Sequence, residues 1–251
     1  MRILIANLSP EVDDGDLAQA VGAVQRQVHE DFAPLWATDA TVRVTAAPSD
    51  ARPNPEINES DAVLYVAQSS ADPNGVQNAV GYHTRNHVGV PYGFVFVDIA
   101  AQVGDPWSVT LSHEVLEAIA DPEVNLLVVA PHPQNPNGQV LRPYEVADPV
   151  QGDSYSIDGV TVSDFVTPLY FAALADNVDT QTDYLRTGVP RFGVRPRGYY
   201  TYFDLATGKD ETVFGERAQE RVMIKEKAFA RLGVLRRVRR HTVLAMLKTK
   251  R

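Results

Sequence analysis

The stretch Leu111–Pro122, L-S-H-E-V-L-E-A-I-A-D-P, decides how the rest of the chain is read. It predicts a helix from about Ser108 to Ala120, which Pro122 prevents from continuing far. Residues four apart share a helix face, so His113 and Glu117 point the same way, with Glu114 beside them. One imidazole and one carboxylate a turn apart can hold a metal ion. An adjacent free carboxylate, Glu114, can then act as general base toward a water bound to that ion. The pattern is the zinc-hydrolase motif H-E-x-x-H with glutamate in place of the second histidine. Zinc is the expected metal, and the carboxylate-rich set lets Mn²⁺ or Ca²⁺ compete. The plain alternative is a solvated helix start whose glutamates are favoured by the helix dipole.

Tight binding needs at least a third ligand. Asp121, at the helix end, is one candidate, and Glu145 and Asp148 in E-V-A-D are two more. The intervening Pro131–Pro143 is rich in Pro, Asn and Gly and predicts an irregular surface loop that folds the chain back onto the helix. Tyr92–Asp98, Y-G-F-V-F-V-D, is the most strand-like segment. Its edge is expected to border the cleft and pair with an extended peptide or protein substrate. His83 and His87 have ligand spacing but fall between Gly81 and Gly89, where a loop with surface histidines is expected. His83 is the better placed of the two to bind an oxyanion, and Tyr155 is a second candidate donor. Ser112 and His113 are adjacent on a helix and diverge, which argues against serine hydrolysis. Neither nucleotide-binding glycine motif is present.

Away from the motif, Asp14–Phe32 reads as an amphipathic helix carrying Leu17, Val21, Val24 and Val28, capped by Asp13 or Asp14. Thr41–Val44 and Ala62–Val66 read as strands flanking a Pro/Asn/Asp-rich loop, and Asn74–Val80 as a short helix. Asp158-Gly159 is a turn signal inside Tyr155–Val160. Gly188–Gly198 reads as loop and Tyr199–Phe203 as a late strand.

The 251 residues are 44% hydrophobic and 22% charged, enough for one main core plus an appendage. With no cysteine, disulfides and thiolate metal sites are impossible, so His, Asp and Glu must supply any ligands. The apolar opening, Met1–Ala6, is too short for a signal-peptide core, and no later run could span a bilayer; a cytoplasmic or particle-packaged protein is expected. The net charge of −9 is segregated: residues 216–251 hold twelve Lys/Arg against three Glu, a net of +9, which leaves −18 on residues 1–215. Two units follow, a metal-binding body over 1–215 and a basic helical extension over 216–251. Phe229, Leu232, Leu235 and Val238 give that extension an apolar stripe. An acidic protein partner suits it; a nucleic-acid role rests on the tail alone.

Three blocks resemble, in order, the phosphate-induced (EXORDIUM-like) protein family and its bacterial relatives. They are H-E-V-L-E-A-I-A-D-P-E-V-N (His113–Asn125), P-Y-E-V-A-D (Pro143–Asp148) and Y-S-I-D-G-V-T-V-S-D-F-V-T-P (Tyr155–Pro168). The upstream G-Y-H of Gly81–His83 is similar too, so the likeness covers about a third of the chain, Gly81–Pro168. The resemblance implies a zincin-like α/β (α+β) fold, a mixed sheet packed against the N-terminal and motif helices. It also implies a metal bound through His113, Glu117 and the pair Glu145 and Asp148. A zinc-dependent metallopeptidase-like hydrolase is the resulting expectation. The competing one, from a different class, is a non-catalytic metal-stabilised binding or assembly protein attached to a larger complex by its basic tail.

Overall fold

The opening run Arg2–Asn7, which the sequence left without an element, forms β1, one of the inner strands of the main sheet. The computed structural model describes residues 1–47, 58, 61–72, 80–86, 89–172 and 181–217. Ile3, Leu4, Ile5 and Ala6 are all fully buried, because β1 runs parallel between β2 (Thr41–Thr45) and β3 (Asp61–Ala67) with both faces covered. Next in the sheet comes β5 (Pro91–Phe96), parallel to β3, and then β4 (Gly81–Arg85), antiparallel to β5. The order is β2-β1-β3-β5-β4.

Two expectations are corrected here. The strand predicted at Tyr92–Asp98 ends at Phe96 and is interior, hydrogen-bonded on both sides; the edge strand on that side of the sheet is β4. His83 therefore lies in a strand and is buried, not in a surface loop. His87, the predicted helix at Asn74–Val80 (except Val80) and residues 218–251 of the basic helical extension lie outside the described residues.

Two helices cover one face of this sheet. The first, α1 (Asp14–Arg26), is capped by Asp13, whose carboxylate accepts the Asp16 N–H at 2.7 Å. It continues through a π-helical turn, Gln27–Phe32, into the short α2 (Ala33–Trp36), so the predicted helix has the expected span with a widened turn in it. After β5 the chain makes α3 (Val97–Val103) and then the motif helix α4 (Trp107–Ala120). Leu17 and Val24 of α1, Leu111 and Val115 of α4, and Ile5 and Leu64 of the sheet share one core. Each such side chain contributes about 1.5–3 kcal/mol by leaving water. The other sheet face carries an aromatic ladder of Tyr65, Phe94, Tyr82 and Phe96, with ring centroids 5.1–6.1 Å apart.

Beyond α4 the chain forms an antiparallel hairpin, β6 (Leu127–His132) and β7 (Asn135–Pro143), where an irregular loop was expected. Its prolines sit where a missing N–H costs little. Pro131 is on the edge strand β6, and Pro136 is in the half of β7 that lacks a second neighbour. β10 (Tyr199–Asp204) and β11 (Asp210–Phe214) complete a four-stranded sheet of order β11-β10-β7-β6. Between them in sequence, β8 (Ser154–Ile157) and β9 (Val160–Ser163) form the hairpin that Asp158-Gly159 signalled; both turn residues have positive φ, 50° and 82°. The fold is thus mixed α/β of the α+β kind. No helix among the described residues is long and apolar enough to cross a membrane.

Candidate metal centre

The motif helix is fixed in rotation by Ser112. Its hydroxyl donates to Gln27 Oε1 at 2.6 Å and accepts the Ser163 N–H at 3.0 Å, while Gln27 Nε2 donates to the Ser163 carbonyl at 2.7 Å. These groups are buried, so leaving any of them unpaired would cost about 1–3 kcal/mol. Helix α4 is thereby tied to the π turn and to β9, which sets the direction of the next residue, His113.

His113 Nε2 lies 3.1 Å from Glu117 Oε1 and 3.1 Å from Asp148 Oδ1. The hairpin β6–β7 returns the chain to α4, and a 3₁₀ turn starting at Asp148 turns that carboxylate inward. The Ala147 N–H donates to Glu117 Oε1 at 3.3 Å, orienting the carboxylate from behind. On the other side of Glu117, His83 Nδ1 is 3.6 Å from Oε2 and 3.1 Å from Glu114 Oε2. His83 Nε2 faces Glu145 Oε2 at 3.9 Å. Two groups of three potential ligands result, His113–Glu117–Asp148 and His83–Glu114–Glu117.

β4 reaches this helix because residue 81 is glycine. A Cβ there would sit 2.6 Å from Thr110 Cγ2, 2.9 Å from the Phe94 carbonyl oxygen and 3.0 Å from Glu114 Oε1. Two residues on, and so on the same strand face, His83 meets Glu114. Gly198 acts likewise: a Cβ would lie 2.1 Å from the Pro149 carbonyl, and this close approach brings Tyr199 beside Asp148.

Seven ionisable side chains are buried together, none more than 8% exposed: Glu114, Glu117, Asp121, Glu145, Asp148, His83 and His113. The electrostatics reflect the crowding. Burial pushes the Glu117 carboxyl up, to about 7, and the Asp148 charge adds to the effect while His113 opposes it. Burial alone would depress the His83 imidazole, but its hydrogen bond to Glu114 and the charges of Glu145 and Glu117 outweigh that and raise it to about 9. Five carboxylates face two imidazoles, so negative charge is in excess even with both rings protonated. Uncompensated buried charge is costly, and a divalent cation is the compensation this donor set suits. Imidazole nitrogen and carboxylate oxygens without thiolate fit Zn²⁺ or Mn²⁺.

The predicted residues divide as follows. His113, Glu117 and Asp148 come together, Glu114 and His83 adjoin them, and Glu145 faces His83. Asp121 stands outside both triads, and its Oδ2 accepts the Leu126 N–H at 2.8 Å, closing the turn after α4. Tyr155 is corrected: its hydroxyl donates to Asp31 at 2.7 Å and accepts from Gln27 at 3.1 Å, an assignment that leaves it supporting the π turn. Tyr199 was missed. Its hydroxyl is held neutral, pushed well above the usual range by burial and then by the charges of Asp148 and Glu117. In sequence it is one aromatic of Y-Y-T-Y-F, which reads as core. A cleft lined by Asp105, Thr110, His113, Gln151, Ser154 and Ser163 reaches the group at His113. Comparison with protein-family models, curated proteins and solved structures found no match to this chain.

Proposed function

We propose that the protein is a metal-dependent hydrolase, most simply a peptidase, with a divalent cation held by His113, Glu117 and Asp148. The observation that carries this reading is the position of Glu114: next to the three-residue group, outside it, and oriented by His83 at 3.1 Å. Three protein ligands leave a coordination position for substrate or water, whereas a purely structural site closes with four. A zinc-like ion there supplies a Lewis acid that acidifies water and polarises a carbonyl. Glu114 then takes a proton from the attacking water and returns it to the departing amine. His83 positions Glu114 through Nδ1 and presents Nε2 as a donor to developing negative charge. Tyr199 holds Asp148 in place. An extended peptide would pair with β4, which among the described strands has only β5 as a neighbour. The motif helix below a mixed sheet with an antiparallel edge strand also supports the zincin-like reading.

The test is Glu114→Gln, assayed on a fluorogenic peptide library with metal content measured in parallel. Hydrolysis should fall by about 10²–10⁴, the usual worth of a general base, with the cation retained. Wild-type protein that binds metal but cleaves nothing in the library would favour the structural role instead. Wild-type protein without metal after zinc loading would remove both readings.

A further inference from the structure

Glu117 presents its two oxygens to different neighbours. Oε1 lies against His113 Nε2, which also meets Asp148, and Oε2 lies 3.6 Å from His83 Nδ1, which meets Glu114 at 3.1 Å. In each triad the ligand atoms all fall within 4.8 Å of one another. We propose that the centre takes two divalent cations, the second held by His83, Glu114 and Glu117 Oε2, with Glu117 as the shared bridging carboxylate.

Two further observations support a cation there. One dication against five carboxylates, with both imidazoles neutral, leaves three negative charges in a buried site; a second reduces this to one. His83 is also a buried imidazole that turns Nδ1 toward both carboxylates, 3.1 Å from Glu114 Oε2 and 3.6 Å from Glu117 Oε2. Its strand is pressed onto α4 at Gly81, where an added Cβ would meet Thr110 and Glu114. The second position is the weaker, because the Glu117 carboxylate is already engaged through Oε1 and shares its charge between both ions. Filling it takes Glu114 Oε2 out of reach of a proton. On the hydrolytic reading, on which this consequence alone rests, excess metal silences the enzyme.

Stoichiometry tests the proposal without recourse to activity. Full-length protein is stripped with chelator and titrated with Zn²⁺ against a chromophoric competitor, and bound zinc per chain is measured by elemental analysis. Wild type should bind two, the second at least ~10-fold more weakly. His83→Ala should bind one, with the tighter affinity changed less than that of His113→Ala. His83→Gln, which keeps a polar side chain in the same space, serves if the alanine variant fails to fold. Saturation of wild type at one zinc, or two zincs retained by either His83 variant, overturns the second position and leaves the proposed function standing. Absence of any bound zinc overturns both.

Discussion

Single residues in this protein act mainly through what they are buried against. Asp164, between β9 and Phe165, is fully buried; its Oδ1 accepts the Phe165 N–H at 2.8 Å and the Leu185 N–H at 3.2 Å. Burial dominates those bonds, and with the neighbouring Asp183 charge it raises the carboxyl from 3.8 to about 7. The folded state therefore binds this proton more tightly than the unfolded chain does. Stability from Asp164 is complete below about pH 4 and declines as pH rises toward about 7. Asp164→Asn should remove that part of the slope, read from urea midpoints across this range. An unchanged slope would show that Asp164 ionises normally. Arg142 is the converse case, a buried cation held by cation–π contact, 3.5 Å from the Tyr200 ring centroid, and by bonds to Phe192 and Tyr170.

At the level of elements, the decisive contact is between the edge strand β4 and the motif helix α4. It depends on Gly81, where added atoms would meet the Phe94 backbone, which cannot rotate aside. Gly81→Ala should destabilise the fold by about 1–3 kcal/mol, the usual cost of overpacking. It should also weaken cation binding, since β4 must shift and carry His83 away from Glu114. Calorimetric zinc titration beside urea unfolding separates the two effects; full zinc affinity in the variant would mean that His83 takes no part. The π turn is the second such device, because its widened geometry delivers Gln27 to Ser112 and so orients His113.

For the molecule as a whole, the candidate centre draws on three separate parts of the fold. His83 comes from the main sheet, Glu114 and Glu117 from α4, and Asp148 from the turn after the β6–β7 hairpin. A cation that binds the folded state alone stabilises by about 2.7 kcal/mol at one hundred times Kd. In this size range each kcal/mol moves Tm by roughly 2–4 °C. Chelation should therefore lower Tm by about 5–10 °C, and added zinc should restore it. A Tm indifferent to chelator would place the cation outside the folding equilibrium.

Much of this was legible in the chain itself. His113, Glu114 and Glu117 followed from helical spacing, the two flanking strands and the β8–β9 turn from local propensity, and the absence of thiolate ligands from composition. Local rules failed where a partner strand overrode them. Pro131–Pro143 became a hairpin because Pro131 lies on an edge strand and Pro136 where β7 has one neighbour, and His83 left the predicted surface because Gly81 admits close contact with α4. Tyr155 and Tyr199 exchanged expectations for the same reason: nothing in either residue's own neighbourhood states which carboxylate it will face. The sequence by itself determined the helix and the side-chain types of the candidate site that it carries, since both depend on residues within a few positions of one another. Only the tertiary structure decided that Asp148 and not Asp121 completes the first triad, that β4 and not the Tyr92 strand is the edge, and that Glu117 is shared. Those choices depend on strand order and close backbone approach between segments distant in the chain, where no local periodicity reaches.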